Sequence, residues 1–132
     1  MSRPPVAREN VLDAFESILI DKGERFATMD ATAKAAGVSK GGLLYHFASK
    51  QALEEGLLAR LDLLVQEDLD AIASAKEGVV AYFLRSSTTS GTPVDRAIVA
   101  ATRLAQGGDA AANASLRGIR EQWADLIRPH VR

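Results

Sequence analysis

Apolar side chains recur at three- and four-residue steps along most of the chain, a pattern that is typical of amphipathic α-helices. In the first such stretch, Val11, Phe15 and Leu19 share one face, and the spacing predicts a helix over 6–22 that ends at Gly23. Few segments are rich in β-branched or aromatic residues, and no hairpin-turn pair separates two apolar runs. The pattern therefore predicts an all-α protein.

Two short helices are predicted next, separated by a tight turn. Thr28 is a suitable N-cap for a helix over 29–36, and Gly37 can adopt the left-handed conformation that ends it. Ser39 is then a suitable N-cap for a second helix over 40–47. Two short helices joined by so few residues predict a helix-turn-helix unit over about 28–47.

A long helix follows this unit, and shorter helices complete the chain. Ser49 is its predicted N-cap, and leucines from Leu53 onward hold one face as far as Ile72. Gly78 marks a break, and the polar segment 86–92 is predicted to be a linker. The remaining apolar stretches predict three more helices, at 79–84, 93–106 and 110–128.

The composition fits a soluble protein that folds around a substantial core. The chain has 132 residues, of which 47% are apolar and 25% charged, enough for one ordinary domain or two small ones. No apolar run approaches the roughly 20 residues of a membrane span, and the start lacks a secretory signal. Cysteine is absent, which excludes disulfides and thiolate metal sites. We therefore expect a cytoplasmic protein without a metal or cofactor.

The charges are unevenly placed although the net charge is only −1. No acidic residue occurs between Ala31 and Leu53, whereas Lys34, Lys40 and Lys50 all lie there. Such a basic window in a nearly neutral chain predicts one surface that faces an anion. A chance gap between solvated acids is the alternative.

The second helix of a helix-turn-helix unit lies in the major groove of DNA, with its N-terminal part against the bases. Lys40 could there reach a guanine edge or a phosphate, or it could be an ordinary solvated lysine. Gly41 and Gly42 would let the backbone approach the DNA closely, at a cost of about 1 kcal/mol each relative to alanine. Close packing of these glycines against a neighbouring helix is the alternative.

The end of the same helix adds further candidate contacts. Tyr45 and His46 are adjacent and point in different directions, so one could bond a phosphate while the other meets a base or sugar. Leu44 could touch a thymine methyl, although burial is the alternative for both Leu44 and Tyr45. Thr28 and Lys50, each near the start of a helix, could bind phosphates together with free backbone N–H groups.

Residues 28–47, T-M-D-A-T-A-K-A-A-G-V-S-K-G-G-L-L-Y-H-F, followed by A-S-K-Q-A-L, resemble the DNA-binding domain of the tetracycline-repressor (TetR/AcrR) family. The resemblance covers about residues 5–65 and implies a homodimeric transcription factor, in most cases a repressor, on a palindromic double-stranded DNA operator. It implies DNA contacts from Thr28, Ser39, Lys40, Gly42, Leu44, Tyr45, His46 and Lys50. Two departures from the family pattern are Gly42, where a small polar residue is common, and Leu44, where tyrosine is common.

The resemblance also implies a role for residues 66–132. In the family this part is a helical regulatory domain that binds a small-molecule effector and forms the dimer, and two more long helices usually follow. We therefore expect this domain to be incomplete here. Tyr82, Phe83 and Trp123 are the candidate pocket-lining aromatics, and core packing is the alternative for each.

Two other functions are less consistent with the sequence. The segment Gly37–Gly42 has the glycine spacing of a phosphate-binding loop, but it continues with leucines and follows a helix, and no catalytic or metal-binding arrangement of residues is evident. We therefore predict that the protein is not an enzyme. The remaining alternative is a helical protein-interaction or scaffold domain, and the salt dependence of DNA binding would separate it from a DNA-binding protein.

Overall fold

The computed structural model describes residues 4–87 and 91–130, without the side chains of residues 4–6, 83, 86 and 87. Its α-helices are α1 (Pro4–Lys22), α2 (Met29–Ala36), α3 (Lys40–His46), α4 (Lys50–Ala73), α5 (Val79–Ser87), α6 (Pro93–Gln106) and α7 (Ala110–Ile127). Single 3-10 turns lie at Glu24–Phe26 and Arg128–His130. No strand occurs in the described ranges, so the prediction of an all-α fold is confirmed.

The helix ends follow from side chains that satisfy free backbone N–H groups. The hydroxyl oxygen of Thr28 accepts from the backbone N–H of Ala31 at 3.1 Å, and that of Ser39 accepts from Gly42 at 3.0 Å. Gly37, at φ 70°, has the left-handed conformation predicted for the end of α2. These contacts fix the turn between α2 and α3.

Four helix boundaries differ from the sequence prediction. Helix α7 ends at Ile127, one residue earlier than predicted. Helix α1 begins at Pro4, earlier than predicted. Helix α3 ends at His46, because Phe47 already has an extended backbone at φ −138°. Helix α5 continues to Ser87, into the predicted polar linker, and residues 88–90 of that linker lie outside the described residues.

One continuous hydrophobic core joins the N-terminal helices to the C-terminal ones. Phe15 of α1, Leu61 of α4 and Leu104 of α6 are fully buried in the same cluster. Helix α6 packs against both α1 and α4, and its buried alanines, including Ala97 and Ala100, allow the helices to approach closely. The C-terminal helices therefore support α1 and α4, the two helices against which the helix-turn-helix unit is built.

An ion-pair network reinforces the junction of α1, α4 and α6. The Arg60 guanidinium lies 2.7 Å from the carboxylate of Asp13, 3.2 Å from Glu16 and 3.3 Å from Glu9. The Glu16 side chain is only 8% exposed and also lies 3.4 Å from Arg96 of α6. A nearly buried carboxylate is thus matched by one cation from α4 and one from α6.

The sequence analysis predicted that no segment of the chain spans a membrane, and the helices of the structure can be compared with that prediction. Among the helices of the described residues, none combines the length and apolar character that a membrane crossing requires.

Candidate nucleic-acid interface

Helix α3 buries one face and exposes the other. Leu43 and the helix-capping Phe47 are buried, and they hold α3 against the rest of the domain. Leu44 is 43% exposed and Tyr45 is 81% exposed. Burial, the alternative for both side chains, is therefore wrong. Apolar groups exposed together on one helix face are typical of a contact surface.

The two glycines of α3 have different surroundings within the chain. A Cβ atom added at Gly41 would have no heavy atom within 4 Å, apart from its chain neighbours and the backbone of its own helix. At Gly42 its nearest neighbour would be the Ser39 hydroxyl, the cap of the same helix, at 3.2 Å. Packing against a neighbouring helix is thus wrong for Gly41, and its lack of a side chain leaves the backbone of α3 open to an external partner.

The polar candidates surround this exposed face. Thr28 and Ser39 are exposed, and each hydroxyl lies at a helix N-terminus, where it already accepts a backbone N–H. The Tyr45 and His46 rings pack edge to face with centroids 5.0 Å apart, and His46 is half-buried. His46 therefore supports one side of the projecting tyrosine.

The basic window of the sequence is not an acid-free surface in three dimensions. The Lys40 ammonium lies 3.3 Å from the carboxylate of Asp30, with both side chains mostly exposed. The Lys50 ammonium donates to the Glu24 carboxylate at 2.8 Å and to the Glu24 carbonyl oxygen at 3.2 Å. The sequence analysis missed both acids, because they lie outside the basic window along the chain and come close to its lysines only in the folded protein.

The carboxyl groups of Glu54 and Asp109 meet where the start of α4 contacts the start of α7. Burial, a hydrogen bond to Asp109 and the Asp109 charge raise the pKa of Glu54 to about 7, and nearby Lys50 opposes this shift. The hydrogen bond to Glu54 and those from the backbone of α7 hold the pKa of Asp109 below its usual value. Protonated Glu54 therefore donates to the Asp109 carboxylate, which also caps α7 by accepting from Ala112 at 2.9 Å.

Replacing Glu54 with glutamine should stabilise the protein at about pH 8 and change little at about pH 4. A carboxyl group whose pKa rises on folding lowers the stability of the protein as the pH increases from 4.5, the pKa in the unfolded chain, to about 7, because ionisation then opposes folding. The glutamine amide can still donate to Asp109 without ionising. Solvent screening limits the expected gain at the higher pH to about 1 kcal/mol.

Urea unfolding at the two pH values, with Glu55→Gln as the matched control, measures this effect. Glu55 is exposed and lies one residue further along α4. Equal gains for both variants at the higher pH would show that the contact between Glu54 and Asp109 has no such influence.

Two of the candidate pocket-lining aromatics, Tyr82 and Trp123, lie in different surroundings. Trp123 lines a groove between α6 and α7. Tyr82 is half-buried on α5, is not among the residues lining that groove, and has the Arg85 guanidinium over its ring at 5.0 Å from the centroid. The side chain of Phe83 lies outside the described residues.

Metal ligands are not grouped in the part of the chain that the structure describes. Within 4–87 and 91–130, no cluster of at least three histidine, aspartate or glutamate side chains could hold a metal ion.

The local geometry defines a helix-turn-helix protein. Two short helices are each capped, and the turn between them contains a left-handed glycine. The second helix projects aromatic and small residues. Residues 11–57 match the family described as bacterial regulatory proteins, tetR family. Residues 11–57 therefore form a domain of the TetR-family type, and the regulators of that family are transcription factors rather than enzymes.

A second comparison gives the same family. Over 89 residues the chain is 34% identical to the HTH-type transcriptional repressor KstR2 of Mycolicibacterium smegmatis (strain ATCC 700084 / mc(2)155). The match covers 64% of this chain and 43% of that repressor, so the chain spans less than half the length of this relative. No solved structure matches the chain.

Proposed function

We propose that this protein is a transcriptional repressor that binds a palindromic DNA operator as a homodimer and responds to a small-molecule effector. The observation that carries the DNA-binding part is the exposed face of α3, on which Tyr45 is 81% exposed. An aromatic ring in that position has little reason to face water unless a partner covers it.

The proposed contacts divide into two sets. Gly41, Gly42, Leu44, Tyr45 and His46 face the bases and sugars of the major groove, because they lie on or beside the exposed side of α3. The phosphate-facing set lies at helix N-termini, where backbone N–H groups and the helix dipole favour an anion. It consists of Thr28, Ser39, Lys40 and Lys50.

Both lysines would exchange an internal carboxylate for a phosphate on binding. Lys40 would leave Asp30 and Lys50 would leave Glu24. An exposed ion pair contributes little stability, so the exchange at Lys40 costs little. Lys50 is less exposed and is held by two oxygen atoms of Glu24, so its exchange of Glu24 for a phosphate costs more free energy. A shift of α4, the helix that carries Lys50, would change that cost.

The regulatory part of the proposal rests on α4 and on the family. Helix α4 begins directly after α3 and packs against both α6 and α7, so a ligand that favours one packing of α6 and α7 would change the position of α3. In a homodimer such a shift would alter the separation of the two α3 helices, which must match successive major grooves about 34–36 Å apart. Tyr82, Phe83 and Trp123 remain the candidate effector-contacting aromatics.

Replacing Tyr45 with alanine should weaken binding to the operator about tenfold without unfolding the protein. The binding site is first selected from random duplexes with the purified protein, and affinity is then measured by fluorescence anisotropy over a range of salt concentrations. Leu63→Ala is the matched control, because Leu63 is also an exposed large apolar residue, at 61%, and lies on α4, well beyond α3 along the chain. Unchanged affinity in Tyr45→Ala, or wild-type binding that does not weaken as salt rises, would favour the scaffold alternative.

Replacing Gly41 with alanine should separate folding from binding. The added methyl group meets open space, and alanine favours a helix by about 1 kcal/mol over glycine, so thermal unfolding should shift upward. The same methyl group would intrude between α3 and the DNA, so we expect operator affinity to fall about fivefold. Gly118→Ala, at an open position in α7, should stabilise the protein without changing DNA affinity. Equal affinity in both variants would show that the backbone of α3 does not approach the DNA at Gly41.

A further inference from the structure

A surface groove of about 420 Å³ runs along the contact of α6 with α7, far along the chain from α3. Its apolar wall includes Ile98 of α6 and Leu116 and Trp123 of α7, all partly buried against the main core. A groove of this volume falls in the range of small-molecule sites, which is roughly 300–1,000 Å³. The groove is therefore large enough for a compact apolar ligand.

The polar lining of this groove is cationic. Arg117 and Arg120 line it from positions three residues apart on α7, both are exposed, and no acidic residue is among the lining residues. Within the described ranges neither guanidinium has a carboxylate within ion-pairing distance, in contrast to Arg60, Arg85, Arg96 and Arg128. Two arginines without a carboxylate partner at the edge of an apolar wall are complementary to an anion that is attached to an apolar body.

One residue that lines the groove also carries an unpaired polar atom. The indole Nε1 of Trp123 is buried and has no acceptor among the described residues. Buried donors are normally paired, so an acceptor that reached this N–H would be favoured. Trp123 thus gives the groove apolar surface and carries a buried donor without a partner.

We propose that this groove binds an amphiphilic carboxylate, with its hydrocarbon body along Ile98, Leu116 and Trp123 and its carboxylate at Arg117 and Arg120. The arginine fork can hold both carboxylate oxygens, whereas an alcohol would leave the guanidinium groups without an anion and a cation would be repelled. Such a molecule is the class of effector that the groove fits.

The groove is connected to the DNA-facing helices through α7. Helix α7 begins at the Asp109 cap, and Asp109 is hydrogen-bonded to Glu54 near the start of α4. This step rests on the proposed function: a ligand that shifts α7 would act on operator binding through this contact. Binding in the groove itself does not depend on any role in DNA recognition.

The test uses the fluorescence of Trp123, the only tryptophan of the chain. The full 132-residue chain is titrated without DNA with decanoate, decanol and decyltrimethylammonium. We expect the Trp123 fluorescence to change saturably with decanoate. Decanol should bind at least tenfold more weakly, and decyltrimethylammonium should not bind. Equal binding of decanoate and decanol, or no saturable change with decanoate, would overturn the proposal.

The arginines are tested by the double variant Arg117→Gln/Arg120→Gln. We expect it to bind decanoate about tenfold more weakly, whereas the charge-conserving Arg117→Lys/Arg120→Lys variant should recover part of the affinity. Arg103→Gln is the matched control, because Arg103 is an exposed arginine of α6 outside the groove. Wild-type affinity in the double glutamine variant would overturn the site.

Sedimentation at several protein concentrations separates ligand binding from self-association. A fluorescence change that follows protein concentration, and not decanoate concentration, would make a second copy of the chain the occupant and overturn the proposal. A chain that binds decanoate but no duplex would instead contradict the proposed function and leave this site intact. A chain that binds duplex but not decanoate would contradict this site and leave DNA binding, the main part of the proposed function, intact.

Discussion

Replacing Arg60 with alanine is expected to lower the free energy of unfolding by about 3 kcal/mol. Arg60, which is 16% exposed, lies 3.2 Å from the carboxylate of Glu16, which is 8% exposed. Removing one partner of a buried ion pair leaves an uncompensated charge, at a typical cost of about 3–5 kcal/mol. The lower end is expected here because Arg96 remains 3.4 Å from Glu16.

Urea unfolding of Arg60→Ala is best compared with that of Arg128→Ala. Arg128 also pairs with a carboxylate, Asp125, but both side chains are 71% exposed. A surface pair of this kind contributes less than about 1 kcal/mol, so the two variants should differ clearly. The double variant Arg60→Ala/Glu16→Gln should recover part of the loss, since it removes the stranded charge. Equal losses for Arg60→Ala and Arg128→Ala would contradict this account of the network.

Replacing Gly56 with alanine should destabilise the protein although alanine is the better helix former. Gly56 is buried in α4, and a Cβ atom there would lie 2.8 Å from the Phe47 ring and 3.3 Å from Leu12. Overpacking of a filled core costs about 1–3 kcal/mol, and the gain in helix propensity offsets about 1 kcal/mol of that. We expect a net loss of up to about 2 kcal/mol.

Gly118→Ala provides the opposite control for Gly56→Ala. Gly118 also lies inside a helix, but a Cβ atom there would meet no atom within 4 Å. That variant should gain up to about 1 kcal/mol, so in chemical unfolding the two substitutions should differ by the overpacking cost, about 1–3 kcal/mol. Stabilisation of both variants would mean that Phe47 moves aside without cost.

The Gly56 contact also bears on DNA recognition. Phe47 is the C-cap of α3, so a side chain that displaces its ring would tilt the helix that carries Tyr45. Operator affinity of Gly56→Ala should therefore fall along with stability, in contrast to Gly41→Ala, where affinity falls while stability rises. The comparison distinguishes support of α3 from direct contact by α3.

The order of the helices could be predicted from the sequence because the signals are local. The Thr28, Ser39 and Ser49 caps act on N–H groups three residues away, and Gly37 acts on its own backbone. Apolar spacing within single helices identified the faces that enter the core, including those of Phe15 and Leu61. The pairing of α2 with α3 and the likeness to a DNA-binding domain followed from these short-range patterns.

The sequence did not determine which charges and side chains of the candidate site are free. Lys50 and Glu24 are 26 positions apart, and the contacts of Glu54 with Asp109 and of Arg60 with Glu16 also join separate helices. Exposure of Tyr45 and open space at Gly41 likewise depend on what packs beside α3.

Local hydrogen bonding and helical periodicity thus determined the elements and the class of domain from the sequence alone. Only the tertiary structure decided the ionic partners of the lysines, the single core that joins α1, α4 and α6, and the cationic groove beside Trp123. The physical reason is that burial and ion pairing depend on distances between helices, which apolar spacing within one helix does not specify.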